Sequence, residues 1–206
     1  MNSRKEIDLQ KLEHLYTDSL RRHGTTPLGV GWSDEISHTL RFQVLAQIID
    51  PRHEFTVADL GCGYGAFYDF LVASNIPPVK YFGYDISDAM ISEAKRRRLP
   101  GSEFLKGASV DREVDYSFAS GIFNVRFKEN ENRWRDFVIA TLDDINNKSR
   151  KGFSFNLLSS YVDWKEDHLY YGDPLFFFDY CKKNFSRHVA LVHDYPLWEW
   201  TIVIRK

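Results

Sequence analysis

The chain has 206 residues, enough for one domain with a real core and too few for two of ordinary size. Its 27 basic and 29 acidic residues leave a formal net charge of -2, which argues against a protein held to nucleic acid by phosphate neutralisation. Aromatic residues reach 16%, more than a minimal core needs, so part of that load is expected to line a pocket; two cysteines, Cys62 and Cys181, make neither a disulfide framework nor a zinc site.

The first residues, MNSRKEIDLQKLEHLY, are charged with a helical period rather than basic and then apolar, and no run approaches the ~18 apolar residues of a membrane span. A cytoplasmic protein without a membrane partner is the expectation. Ile7, Leu12, Leu15, Tyr16 and Leu20 share one helical face, and Gly24 reads as the stop. The loop from Gly24 to Trp32 is rich in Gly and ends in a large aromatic. Ser33 is expected to cap a second helix whose spacing runs Ile36, Leu40, Val44, Ile48. Residues 1–50 thus form an N-terminal helical extension and residues 51–206 the main domain.

That domain is organised around TVADLGCGYGAF, residues 56–67. A short strand carrying Asp59 runs into glycines at alternate positions, Gly61, Gly63 and Gly65, and then into a helix. Glycines let a ligand approach the main chain, and the helix start offers unpaired N–H groups. Gly61, Gly63 and Ala66 also fit the looser G-x-G-x-x-A spacing of dinucleotide folds. Asp59 decides between them, because a carboxylate at the strand's end repels a pyrophosphate and suits an ammonium group. The second strand, Val79 to Asp85, ends in an acid about twenty residues on, where a carboxylate accepts from ribose hydroxyls; Ser87 is left to cap the next helix. An acid followed by G-x-G-x-G resembles the first motif of the class I S-adenosylmethionine-dependent methyltransferases, and the order of elements from Thr56 to the C-terminus extends that resemblance.

Glu103 to Leu105 reads as the third strand and Asp115 to Ser120 as the fourth, with Asn124 at its carboxyl end as a candidate polar contact. Trp134, Phe137, Val138, Thr141, Leu142 and Ile145 form a helical stripe expected in the core. Gly152 to Leu158 is the fifth strand, Tyr161 to Gly172 a polar and aromatic insert, and Asp173-Pro174 a helix start. Val189 to Val192 and Trp198 to Ile204 read as a terminal hairpin. The fold expected is therefore α/β: a Rossmann-like, doubly wound, mostly parallel seven-stranded sheet with an antiparallel C-terminal strand.

The resemblance implies S-adenosylmethionine as cofactor, held by Asp59, Gly61, Cys62, Gly63, Gly65, Asp85, Ile86, Ala108, Ser109 and Ser120. Members commonly carry an acid near Ala108 and Ser109 for the adenine amino group; here backbone N–H, Ser109 or Asp111 would have to serve. The Gly24–Trp32 loop is expected to close over the site, with Trp32 and Tyr16 excluding water and Arg41 pairing with the cofactor carboxylate. A hydroxyl acceptor benefits from a base, for which His23 and His168 are the candidates, beside Asn124. The motifs that mark nucleobase, glutamine, protein-arginine and metal-dependent catechol methylation are missing, and no metal site is expected. What remains is a metal-independent methyltransferase for a small molecule, a sugar or other metabolite. The alternatives are a protein or RNA acceptor and, further off, an NAD(P)-dependent oxidoreductase. Oligomeric state is not legible in the sequence.

Overall fold

The computed structural model describes residues 7–206; the first six, part of the stretch read above for a leader, lie outside the described residues. Helix α1 spans Gln10–His23 and is closed by Gly24, whose N–H donates to Leu20 O. A single 3-10 turn, Leu28–Val30, precedes helix α2, Glu35–Leu45. The strands are β1 (Thr56–Leu60), β2 (Lys80–Asp85), β3 (Ser102–Lys106), β4 (Val114–Ala119), β5 (Ser149–Leu158), β6 (His188–Val192) and β7 (Glu199–Arg205). Helices α3 (Ala66–Ala73), α4 (Asp88–Arg96), α5 (Glu131–Lys148) and α6 (Pro174–Asn184) connect them.

The strands make one sheet in the order β3-β2-β1-β4-β5-β7-β6. The first five pair in parallel, and β7 runs antiparallel to both β5 and β6. This is the sheet expected from the sequence. Its order reverses between β1 and β4, which start their crossovers in opposite directions and leave a crevice at their carboxyl ends.

Each face carries its own apolar layer. On one, Trp134, Val138, Leu142 and Ile145 of α5 meet Phe153, Phe155 and Trp200; on the other, Phe42 and Leu45 of α2 meet Phe67, Leu71 and Phe118. The α5 stripe is buried as its spacing predicts, and the Trp134 indole N–H is satisfied by Phe123 O at 2.8 Å. The connection from β3 to β4 contains no helix. Leu12 of α1 instead packs in the same layer as Val110 and Val138, and α1 lies against α4. The N-terminal helix therefore fills part of the layer that a crossover helix would supply.

Three local expectations need correction. Helix α2 is capped by Asp34, whose carboxylate accepts from Ser37 N at 2.7 Å, not by Ser33, whose hydroxyl donates to that same carboxylate. Of its expected face, Val44 and, just beyond the helix, Ile48 are buried but Ile36 stands 83% exposed, and His38, Arg41, Phe42 and Leu45 are buried as well. Helix α1 starts at Gln10, three residues after the expected Ile7. Ser87 caps α4 as expected, accepting from Met90 N, and Asp173 caps α6 with Pro174 at its first position.

Candidate active site

At the carboxyl end of β1 the chain turns sharply, and Gly61, Gly63 and Gly65 take φ of 78°, 53° and 91°, the left-handed region that only glycine enters without strain. The N–H groups of Gly61 and Cys62 both donate to Tyr84 O, at 2.7 and 3.0 Å, so the turn is pinned to β2. Asp85 completes the pin. Its Oδ2 accepts from Gly63 N at 2.9 Å and its Oδ1 from Ser87 N at 2.8 Å, joining the glycine turn to the start of α4. Each oxygen keeps a lone pair for a further donor.

Asp59 is 3% exposed, and the Tyr81 hydroxyl donates to its Oδ2. Burial pushes its carboxyl up to about 7, the nearby Asp85 adds to the rise, and the Tyr81 hydrogen bond opposes it. Burial also raises Asp85, against the N–H groups of Ser87, Gly63 and Ile86. Two acids thus sit desolvated at adjacent strand ends, an arrangement that favours a cationic or hydroxyl-bearing ligand over an anion.

A cavity of about 300 Å³ opens over these groups. The loop before α2 covers part of it: Val30, Gly31 and Trp32 face into it, and a Cβ built on Gly63 would lie 2.8 Å from Val30 Cγ1. The Trp32 ring lies so close to Gly121 that a side chain there would collide with it. Behind Trp32 stands the Arg41 guanidinium, 3.8 Å from the ring centroid.

Of the residues expected at the site, the structure brings Trp32, Asp59, Gly61, Cys62, Gly63, Asp85, Ile86, Ala108, Ser120 and Asn124 to the cavity, together with Tyr16. Gly65 is not among its lining residues and acts as the left-handed residue before α3. Ser109 is exposed, and Asp111 is engaged by the Tyr84 hydroxyl and the Arg112 guanidinium. Arg41 departs most from expectation. Its Nε donates to Glu199 Oε2 at 2.9 Å in a pair almost wholly buried, so it braces α2 against β7 instead of lining the cavity. His23, at the exposed end of α1, and His168, exposed in the insert, also lie outside the lining, so neither is placed as a base.

The histidine that does face the cavity is His38, 6% exposed and packed against Phe42 with ring centroids 4.4 Å apart. Burial pushes its imidazole down to about 4, with the Arg41 charge adding to the shift, so the ring is neutral. Sequence reasoning passed over it because the α2 spacing was read on aliphatic residues alone; counting His and Arg as able to lie inward finds the 38-41-42-45 stripe. Ser120 Oγ is buried with no hydrogen-bond partner among the described residues.

A doubly wound sheet with a reversed final strand, and a two-acid glycine turn at its switch point, define the class I methyltransferase architecture. Comparison with known proteins agrees. Residues 58–123 match the family model described as a methyltransferase domain. A Mycobacterium tuberculosis protein provisionally named a methyltransferase, Rv1506c, is 47% identical over 164 residues, covering 78% of this chain and 98% of that protein. Among solved structures, magnesium protoporphyrin IX methyltransferase (ChlM) of Synechocystis PCC 6803 with bound S-adenosylhomocysteine superposes with a TM-score of 0.67 at 13% identity, over 97% of this chain and 100% of that one. The DhpI complex with S-adenosylhomocysteine gives 0.64 at 14%, over 96% of each chain. Human N-acetylserotonin methyltransferase with S-adenosylmethionine gives 0.62 at 15%, over 96% of this chain and 61% of that one. The chain belongs to the class I S-adenosylmethionine-dependent methyltransferase family. It is an enzyme of methyl transfer with S-adenosylmethionine as its cofactor, and the oxidoreductase alternative falls. No helix of the described residues is long and apolar enough to cross a membrane.

Proposed function

We propose that the protein transfers a methyl group to a small-molecule acceptor, by direct displacement and without a metal, inside the cavity at the β1–β4 switch point. The observation that carries this reading is the cavity itself: about 300 Å³, part-covered by the Gly24–Trp32 loop, with two desolvated acids at its floor. A cleft of that size suits a cofactor and a compact acceptor better than a folded macromolecule.

The residues present fit S-adenosylmethionine. Asp59 offers a carboxylate to an ammonium group, and Asp85 has lone pairs left for ribose hydroxyls. Gly61 and Gly63 present bare backbone where side chains would fill the space: a Cβ on Gly61 would collide with Ile122. Ser120 brings a hydroxyl with nothing yet to bond, and Cys62, Ile86 and Ala108 supply apolar walls. When bound, this cofactor supplies an electrophilic methyl carbon on a sulfonium. The chain's task is then alignment and exclusion of water, which can contribute several kcal/mol without any acid or base. Trp32 and Tyr16 serve that exclusion at the cavity wall.

Two measurements test the proposal. Calorimetry should detect binding of S-adenosylmethionine and S-adenosylhomocysteine, and none of NADP. With methyl-labelled cofactor and an extract of the source cell, label should enter the low-molecular-weight fraction and survive prior digestion of protein and RNA. Label confined to macromolecules would transfer the assignment to a protein or RNA acceptor.

A further inference from the structure

The sheet face beneath α2 carries a strip of buried polar side chains. Strand register sets Asn156 opposite Thr201 and Leu158 opposite Glu199, so Ser154, Asn156, Glu199 and Thr201 share that face by their alternation along β5 and β7. All four are fully buried, beside an apolar layer that includes Phe42, Leu45, Phe118 and Val203. Bracing α2 against the sheet does not require the Arg41–Glu199 pair among them, since apolar residues of like volume hold two elements together at least as firmly as a buried ion pair. The pair calls for a second role.

Its contacts close into a ring. Just beyond β4, Gly121 turns with φ of 71°, and its N–H donates to Asn156 Oδ1 at 2.7 Å. Asn156 Nδ2 donates to Glu199 Oε1 at 3.1 Å, and Arg41 Nε donates to Oε2 of the same carboxylate at 2.9 Å. The Arg41 guanidinium lies over the Trp32 ring, and that ring rests on Gly121, where the circuit began. Arg41 Nη1 is buried with no hydrogen-bond partner among the described residues, so the guanidinium is placed by its face and its Nε, not by a full set of hydrogen bonds. The two oxygens of Glu199 each receive a different arm of the ring. A carboxylate suits that junction because it accepts at both ends, whereas an amide has one acceptor oxygen.

Trp32 and Gly121 line the cavity, as do Ser120 and Ile122 on either side of Gly121; Arg41, Asn156 and Glu199 are not among its lining residues. Ile122 also stands where a Cβ on Gly61 would fall, so the stretch from Ser120 to Ile122 meets the glycine turn as well as Trp32. We propose that Glu199 and Asn156 are positioning residues of the cofactor site: through Gly121 on one arm, and through Arg41 and Trp32 on the other, they hold the end of β4 and the loop before α2 in one register at the cavity wall. The proposal concerns the cofactor and stands whatever the acceptor is.

The test measures S-adenosylhomocysteine binding to the full chain by calorimetry, together with fluorine NMR of the ligand-free, fluorotryptophan-labelled protein, in which Trp32→Phe assigns the Trp32 resonance. Glu199→Gln keeps the side chain's size but opens the ring at one bond, and should weaken S-adenosylhomocysteine about tenfold and shift the Trp32 resonance. Ser154→Ala removes a different tie between α2 and the same face, Ser154 Oγ to Leu45 O at 2.9 Å, outside the ring. It should lower the urea midpoint while S-adenosylhomocysteine affinity and the Trp32 resonance stay as in the parent. Should Glu199→Gln alone not fold, Arg41→Met combined with Glu199→Gln removes both buried charges and keeps an oxygen for Asn156. That pair should fold at least as stably as the parent, yet bind S-adenosylhomocysteine about tenfold more weakly. Parent affinity in a folded Glu199→Gln protein, single or paired, overturns the proposal. So does an equal loss in Ser154→Ala, which would mean that docking of α2 alone sets the site.

Discussion

Replacing Asp59 with Asn should stabilise the free protein and cripple its cofactor site, and the two effects have separable signs. The carboxyl is pushed up to about 7 by burial, against 3.8 for the free side chain. Between those values the folded state holds a proton that the unfolded state has released, so stability falls as pH rises through the window and the loss is complete above the folded pKa. At 1.36 kcal/mol per pKa unit, the ionised group costs the fold about 2 kcal/mol near pH 5.5 and about 4 kcal/mol near pH 8. Asn removes that cost at both values while keeping an oxygen for the Tyr81 hydroxyl. Its advantage over the parent should therefore grow by about 2 kcal/mol between the two pH values, read from urea midpoints at constant ionic strength. The double difference cancels every titrating group that does not interact with Asp59. Affinity for S-adenosylmethionine should fall by about 1.5–3 kcal/mol, the range for a charged hydrogen bond. A stability difference that does not change with pH would refute the assignment of a desolvated carboxylate to Asp59.

Arg41→Ala should now be read chiefly as a stability mutation. It leaves Glu199, fully buried, with Asn156 and Tyr195 but no cation, and should cost about 3–5 kcal/mol in chemical denaturation; a loss under 1 kcal/mol would mean the pair is not buried in solution. Gly63→Ala forces a Cβ toward Val30 in a left-handed backbone, so S-adenosylhomocysteine should bind at least tenfold more weakly by calorimetry, with part of the loss restored by adding Val30→Ala. Gly121→Ala should displace the Trp32 ring, visible as a shift in tryptophan emission toward that of solvent-exposed indole; unchanged emission would show that the ring does not rest there.

The sheet was legible because its determinants are local. Short β-rich runs, each punctuated by Gly, Pro or Asn, give the strands, and the three glycines between two acids mark the switch point without reference to any distant residue. Strand ends differ from expectation by no more than three residues, as at β5, where α5 passes straight into the strand at Ser149. The partners of buried charges were not legible. Arg41 and Glu199 lie 158 residues apart and meet only because α2 packs across the sheet face that carries β7. A lone arginine in the sequence suggested a ligand carboxylate; the fold supplied a protein one. His23 and His168 stand beside loops in the sequence, and the fold leaves both in the open, one at the end of α1 and one in the insert, whereas His38 is buried on α2 beside Phe42 and Leu45.

The N-terminal segment joins these two kinds of information. Read from the sequence it is an extension that closes the site, with plain coverage of the sheet as the simpler alternative. Contacts on both sides of the helix favour a combination of the two. Leu12 replaces apolar contacts that a β3–β4 crossover helix would make, and the Thr17 hydroxyl meets the Ser87 hydroxyl, 2.8 Å away, at the cap of α4. From the same helix Tyr16 faces the cavity, its hydroxyl pushed up to about 12 by burial and by the charge on Asp85. A helix that completes the core cannot swing away without exposing Leu12 and opening the layer around Val110 and Val138. We therefore propose that motion admitting a ligand is confined to the stretch between α1 and α2, where Gly24 and Gly31 carry φ of 64° and 84° on either side of the 3-10 turn. That stretch carries Val30 and Trp32, the two side chains that rest on the glycine turn and on Gly121. On that proposal the segment is a helix fixed in the core followed by a short flap, and Val30 and Trp32 of the flap share the cavity wall with Tyr16 of α1 beside Asp59 and Asp85.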